Sequence, residues 1–148
     1  MDDSGQPCLR LADVCKSFRA PGGAVEVLRS VSLELAAGGF GIITGPSGSG
    51  KTTLLLVAGL LQTADAGRVW FAGREVSGLD DDARTEIRKR GVGMVFQKFC
   101  LLPHRSALDN VRFRFRYLDH DPRAARALAA AALKRVGLAA EAQTAARL

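Results

Sequence analysis

The spacing of hydrophobic and polar positions changes along the chain, and each change predicts an element. Leu9, Leu11 and Val14 mark a first strand, and Pro21-Gly22-Gly23 is a turn. Val31, Leu33 and Leu35 alternate with Ser32 and Glu34, which predicts a half-exposed second strand closed by Gly38-Gly39. Residues 40–44 read as a short strand despite Gly41, and 51–61 as a helix. Segments 68–71 and 74–76, joined by Ala72-Gly73, form a hairpin pattern, and 92–96 reads as a further strand. Asp80-Asp81-Asp82 precedes a helical pattern at 83–90 that ends in Arg88-Lys89-Arg90. Acids at the positive end and bases at the other are helix-start and helix-stop chemistry rather than a metal site. Ser106 and Asp109 resemble a capping box with Asp in place of the usual Glu. Asp121-Pro122 opens the clearest helix, Gly137 follows its end, and Leu128, Ala132 and Val136 form its expected apolar stripe.

Composition bounds this picture. The 148 residues are 47% hydrophobic and 24% charged, enough to bury a core without disulfides. Cys8, Cys15 and Cys100 are far apart, with no Cys-x-x-Cys or Cys/His spacing, so free thiols are expected rather than a zinc site or disulfide scaffold. The acidic start Met1-Asp2-Asp3-Ser4-Gly5 does not read as a signal peptide. The longest apolar run, 54–61, contains Gly59 and is far short of a membrane span. The expectation is a soluble chain that meets a membrane only through a partner.

The net charge of +6 is uneven. Residues 1–83 carry 7 basic and 10 acidic side chains, and residues 84–148 carry 14 and 5. Arg112, Arg114 and Arg116 alternate with Phe113, Phe115 and Tyr117, a pattern able to stack bases. No nucleic-acid motif accompanies it. The simpler reading is a solvated, extended or loosely helical segment with an apolar side, and no nucleic-acid partner is expected. His104 and His120 read as ordinary surface histidines.

The strongest chemical signal is Gly45-Pro46-Ser47-Gly48-Ser49-Gly50-Lys51-Thr52, which fits G-x-x-x-x-G-K-[ST] between a β-prone segment and a helix. Glycines let backbone N–H groups approach phosphate oxygens, and the following helix points its positive end at them. In that arrangement Lys51 reaches the β- and γ-phosphates, Thr52 helps to hold Mg²⁺, and Thr53 adds a phosphate contact.

The flanking residues select among the classes that share this loop. The run from Gly45 through Thr53 to Leu54-Leu55 resembles the Walker A segment of the ATP-binding subunits of ATP-binding cassette (ABC) transporters. Val14-Cys15-Lys16-Ser17-Phe18 resembles the segment whose aromatic ring stacks on adenine, with Phe18 in the ring's position. Val27-Leu28-Arg29-Ser30-Val31-Ser32-Leu33 is similar to the family's second strand, and Ala58-Gly59-Leu60-Leu61 with Gly67-Arg68-Val69 to its run from helix into hairpin. Val92-Gly93-Met94-Val95-Phe96-Gln97 resembles its Q-loop strand, which implies that Gln97 senses the γ-phosphate and metal. The run from Gly93 to Pro103 looks most like the lipoprotein-release, macrolide-export and cell-division branch. Local departures are Gly39 and Gly41, and Thr63-Ala64-Asp65 without the usual proline.

The resemblance implies an α/β P-loop NTPase of ABC type. It has an N-terminal antiparallel β region, the start of a helical subdomain and an incomplete core. Residues 1–96 would be the β-rich nucleotide-binding core, and 97–148 the Q-loop and partial helical subdomain. The implied nucleotide-binding residues are Phe18, Gly45, Pro46, Ser47, Gly48, Ser49, Gly50, Lys51, Thr52, Thr53 and Gln97. Thr52 and Gln97 are the implied metal ligands, and ATP and Mg²⁺ the cofactors. The implied partners are a transmembrane permease subunit and a second ATP-binding subunit, at the inner face of the membrane. The family's Leu-Ser-Gly-Gly-Gln signature, its apolar strand ending in Asp-Glu and its later His have no counterpart here, so no catalytic residue is assigned. The chain reads as roughly the first two thirds of such a subunit, expected to hold ATP without hydrolysing it and to be poorly stable alone. A non-catalytic nucleotide-binding fragment or regulatory module is the alternative.

Overall fold

The computed structural model describes residues 6–98, 101–118 and 120–145. Cys100 lies outside them. The chain divides into two compact units, Met1–Arg88 and Lys89–Leu148.

The first unit is built on an antiparallel sheet in the order β2-β1-β3-β4. Strand β1 (Pro7–Ala20) and strand β2 (Gly23–Ala36) form a long hairpin whose last pair is Ala20↔Gly23. Both extend beyond the stretches with clear alternation, because irregular register breaks the period in between. The register slips between Leu11 and Val14, between Val14 and Lys16, and again at Lys16/Ser17. Asp13 and Ser30 sit in the left-handed region there, at φ 51° and 48°. Their strain is held by a polar clasp: Asp13 N–H donates to Ser32 Oγ at 2.9 Å, and the Ser30 hydroxyl donates to Asp13 Oδ1 at 2.9 Å.

Strand β3 (Ala66–Phe71) pairs with the other edge of β1, from Leu9↔Phe71 to Cys15↔Ala66. Strand β4 (Arg74–Glu75) returns through Ala72 and Gly73, both at positive φ as a tight hairpin requires. Helix α1 (Lys51–Ala58) lays Leu54 and Val57 against Leu11, Val14, Leu28, Val69 and Val76 to form the main core. Leu11, Val14 and Val57 are almost fully buried. Burying each such side chain favours folding by about 1.5–3 kcal/mol. Helix α2 (Asp81–Gly91) crosses the boundary between the units. Its acids do the capping work expected of them: Asp80 Oδ1 accepts from Ala83 N–H at 2.8 Å, and Asp81 pairs with Arg84 at 3.2 Å.

In the second unit, α3 (Ala107–Phe115) and α4 (Pro122–Arg135) pack through Leu108, Ala129 and Leu133. Ser106 Oγ accepts from Asp109 N–H at 3.0 Å, the N-cap half of the capping box the sequence predicts, and its hydroxyl donates to Asp109 Oδ2 at 2.9 Å. Asp121 Oδ1 accepts from the N–H groups of Arg123 and Ala124, and Gly137 follows at φ 78°.

Three expectations give way here. Residues 40–44 and 92–96 carry no strand. A strand exists only through a hydrogen-bonded neighbour, and neither segment has a ladder partner among the described residues. Phe40 is 88% exposed and Val95 99% exposed. The buried face of α4 is Ala125, Ala129 and Leu133, whereas Leu128 and Val136 are exposed. The alanines mark two adjacent rows of the helix almost equally, and contact with Leu108 selects the row containing Leu133. The Arg/aromatic alternation at 112–117 resolves as helix α3 and a following 3-10 turn, with Phe113 and Tyr117 one turn apart and their rings edge-to-face at 5.2 Å.

Candidate functional site

Residues 45–50 lead into α1 through three glycines at positive φ: Gly45 at 152°, Gly48 at 79° and Gly50 at 90°. Side chains other than glycine adopt such angles only at a cost, so the spacing of glycines in the motif is the spacing of its backbone reversals. Space restricts two of the three positions as well. A Cβ on Gly45 would lie 2.9 Å from Ser49 Oγ, and a Cβ on Gly50 would lie 2.9 Å from Val27 O on β2. Gly48 faces open space. The Ser49 N–H donates to Pro46 O at 3.3 Å and closes the turn.

Gly50 is the N-cap of α1, and the first intrahelical bond runs from Leu54 N–H to Gly50 O. The N–H groups of Lys51, Thr52 and Thr53 therefore have no intrahelical acceptor and form the positive end of the helix. No acid stands in the first turn to compensate them. The Lys51 ammonium folds back over the loop and donates to Gly45 O at 2.9 Å and Pro46 O at 2.6 Å. Both acceptors are neutral carbonyl oxygens rather than carboxylates. Free helix N–H groups, left-handed glycines and a lysine together fit phosphate oxygens.

The far end of α1 is also fastened. Arg88 Nη1 donates to Leu60 O at 2.6 Å, where Leu60 has a left-handed φ of 60°. Arg88 Nη2 donates to Thr85 Oγ1 and so orients the guanidinium. The motif gives no sign of this contact; the only sequence cue is that a basic residue belongs near a helix C-terminus.

The structure gathers residues 45–53 into one loop and helix start. Phe18 lies on β1, two residues before its end, and is 39% exposed. Gln97 lies in the second unit, exposed and in a bend. The Thr52 hydroxyl lies on the exposed first turn of α1. The side chains of Thr52, in the first unit, and of Gln97, in the second, each carry a neutral oxygen donor, a type that suits Mg²⁺. Among the described residues, no three His, Cys, Asp or Glu side chains group to hold a metal ion. No helix among them is long and apolar enough to cross a membrane.

The macrolide export ATP-binding/permease protein MacB of Brucella abortus (strain 2308) is 42% identical over 130 residues, 88% of this chain and 20% of that protein. The lipoprotein-releasing system ATP-binding protein LolD of Ruegeria pomeroyi is 46% identical over 107 residues, 72% of this chain and 47% of that protein. The ATP-binding cassette MJ0796, solved as a dimer in a post-hydrolysis state bound to ADP and Pi, superposes with a TM-score of 0.86 at 33% identity. That match covers 93% of this chain and 61% of the solved one; the chain spans between a fifth and a half of these two curated relatives. The family model for ABC transporters matches residues 28–148, from the middle of β2 through the phosphate loop and into both helices of the second unit. With loop, sheet and helices all of that form, the chain belongs to the ABC transporter family.

Proposed function

We propose that the chain is the N-terminal portion of an ABC transporter's ATP-binding domain and holds ATP with Mg²⁺. The carrying observation is the loop at 45–53, where three left-handed glycines, three free helix N–H groups and the Lys51 ammonium converge. Residues 1–96 supply the nucleotide-binding core, and 97–148 the Q-loop and part of a helical subdomain. In this reading Phe18 stacks on adenine. Residues Gly45, Pro46, Ser47, Gly48, Ser49 and Gly50 wrap the phosphates, while Lys51 and Thr53 bind them directly. Thr52 and Gln97 hold the metal. Bound Mg²⁺ supplies neutralisation of charge on the phosphate oxygens.

The whole protein couples ATP binding and hydrolysis to movement of a permease partner, as a dimer of ATP-binding subunits at the inner face of the membrane. Support comes from the relatives' own names, ATP-binding/permease protein and ATP-binding protein, and from the dimeric state of the solved cassette. These 148 residues contain no Ser-Gly-Gly and no apolar run ending in Asp-Glu. Hydrolysis needs a base to orient water as well as phosphate donors, so the chain by itself binds ATP without turnover.

The test is titration with ATP and release of phosphate, in the wild type and in Lys51→Ala. Loss of a charged donor to phosphate is worth about 1.5–3 kcal/mol, so affinity falls about tenfold to a hundredfold. Equal affinity in Lys51→Ala overturns the site. Mg²⁺-dependent turnover that Lys51→Ala abolishes overturns the non-hydrolytic reading and leaves the site standing.

A further inference from the structure

We propose that Asp65 is a positioning residue for the base of the bound nucleotide, holding Phe18 in place through Ser17 and Lys16. The inference rests on the stacking role of Phe18 given above and adds a residue that no part of the phosphate-loop motif includes.

The geometry begins where β3 ends. Strand β3 pairs with β1 only as far as Cys15↔Ala66, so residues 16–20 of β1 continue with no β3 backbone beside them. On the other side β2 continues, with Ser17↔Glu26 and Phe18↔Val25, but the register slips at Lys16/Ser17. Phe18 thus sits just past a register slip, on the end of a hairpin that pairs with β2 alone. Such a segment is free to twist or fray unless something replaces the missing ladder.

Asp65, the residue just before β3, replaces it. Its N–H donates to Cys15 O at 2.9 Å. Its carboxylate then reaches one step further: Oδ2 accepts from Ser17 N–H at 2.7 Å, where a strand carbonyl would otherwise do so. Oδ1 accepts from Lys16 Nζ at 2.5 Å. The Lys16 side chain is 12% exposed, and its ammonium lies 5.8 Å from the centre of the Phe18 ring. One carboxylate therefore fixes the peptide that precedes Phe18 and the cation beside its ring. The Lys16 hydrogen bond, and after it the Ser17 N–H, holds the Asp65 carboxyl below the ordinary carboxylate pKa, so both contacts favour the charged form.

The bland alternative is a brace that only stabilises the sheet. The two differ in what they do to the base and to the phosphates. A stacking platform contributes to ATP binding but not to tripolyphosphate binding, because tripolyphosphate has no base. The readout is the ratio of ATP to tripolyphosphate affinity, measured by calorimetry on the full chain. Asp65→Ala is expected to lower this ratio about threefold to tenfold while tripolyphosphate affinity stays unchanged. Asp65→Asn keeps an acceptor for Ser17 N–H, and restores at least half of the loss. Phe18→Ala lowers the ratio, and adding Asp65→Ala to it changes the ratio no further.

If Phe18→Ala lowers the ratio and both Asp65 variants leave it at the wild-type value, the positioning role is overturned and the stacking reading stands. If Phe18→Ala itself leaves the ratio unchanged, the stacking reading fails and this proposal fails with it. If Asp65→Ala and Asp65→Asn weaken ATP and tripolyphosphate equally, Asp65 is a structural brace only and the proposal is overturned.

Discussion

Replacing Gly50 by alanine isolates what the phosphate loop demands of its last glycine. The residue stands at φ 90° and ψ 0°, a left-handed conformation that costs a residue with a Cβ about 1–2 kcal/mol. Its new Cβ would meet Val27 O at 2.9 Å, Val27 Cγ1 at 3.1 Å and Leu28 Cδ2 at 3.3 Å. The nearest of these is backbone of a paired strand and cannot rotate away, which adds an overpacking cost of about 1–3 kcal/mol. The expected loss is about 2–5 kcal/mol. Gly48→Ala is the matched control: φ is 79°, but nothing lies within 4 Å of the new atom, so only the conformational cost applies. Gly22→Ala meets neither obstacle and stays within about 0.5 kcal/mol of the wild type. Urea unfolding reads all three. With a slope of about 1–3 kcal/mol per molar, the Gly50→Ala midpoint falls by about 1–2 M, and the Gly48→Ala midpoint by roughly half that. Equal midpoints for Gly48→Ala and Gly50→Ala would refute the argument that β2 presses on the start of α1.

Other consequences are simpler. Leu11→Ala empties a site buried to 1% between the sheet and α1, and loses about 2–5 kcal/mol in chemical unfolding. Asp121→Ala removes the acceptor for two N–H groups at the start of α4 and costs about 1 kcal/mol, whereas Ala131→Ser on the exposed face of α4 changes stability by less than about 0.5 kcal/mol. The Asp65 carboxyl is held below its unfolded value, so its contribution is complete above about pH 4 and disappears as pH falls through the lower folded value. Wild type and Asp65→Asn should therefore differ most in unfolding midpoint near neutral pH and converge in acid; a constant gap down to pH 2.5 would count against the ion pair.

Much of the fold was legible because local chemistry and tertiary structure agree. The hairpin at Ala72-Gly73, the caps at Asp80, Ser106 and Asp121, and the stop at Gly137 each rest on one residue type in one conformation. Legibility failed where a partner decides the outcome. Residues 40–44 and 92–96 have strand composition, yet strand formation requires a neighbour and none pairs with them among the described residues. The buried row of α4 depends on where Leu108 stands, which no period in α4 encodes. Asp65 carries no local signal beyond the missing proline in Thr63-Ala64-Asp65. Its value lies in two residues 48 and 49 positions away, Ser17 and Lys16.

By itself the sequence determined the expectation of phosphate chemistry. Glycine is the residue that adopts left-handed angles freely, lysine brings a mobile charge and threonine a hydroxyl, so their order in 45–53 already specifies an anion cradle at a helix start. The tertiary structure alone decided what holds that cradle and the aromatic strand in place. Val27 O against Gly50, Arg88 on the Leu60 carbonyl, and Asp65 on Ser17 and Lys16 are contacts between segments remote in the chain. Such contacts depend on how the sheet bulges and where a strand ends, and those are properties of paired backbones rather than of any one stretch of sequence.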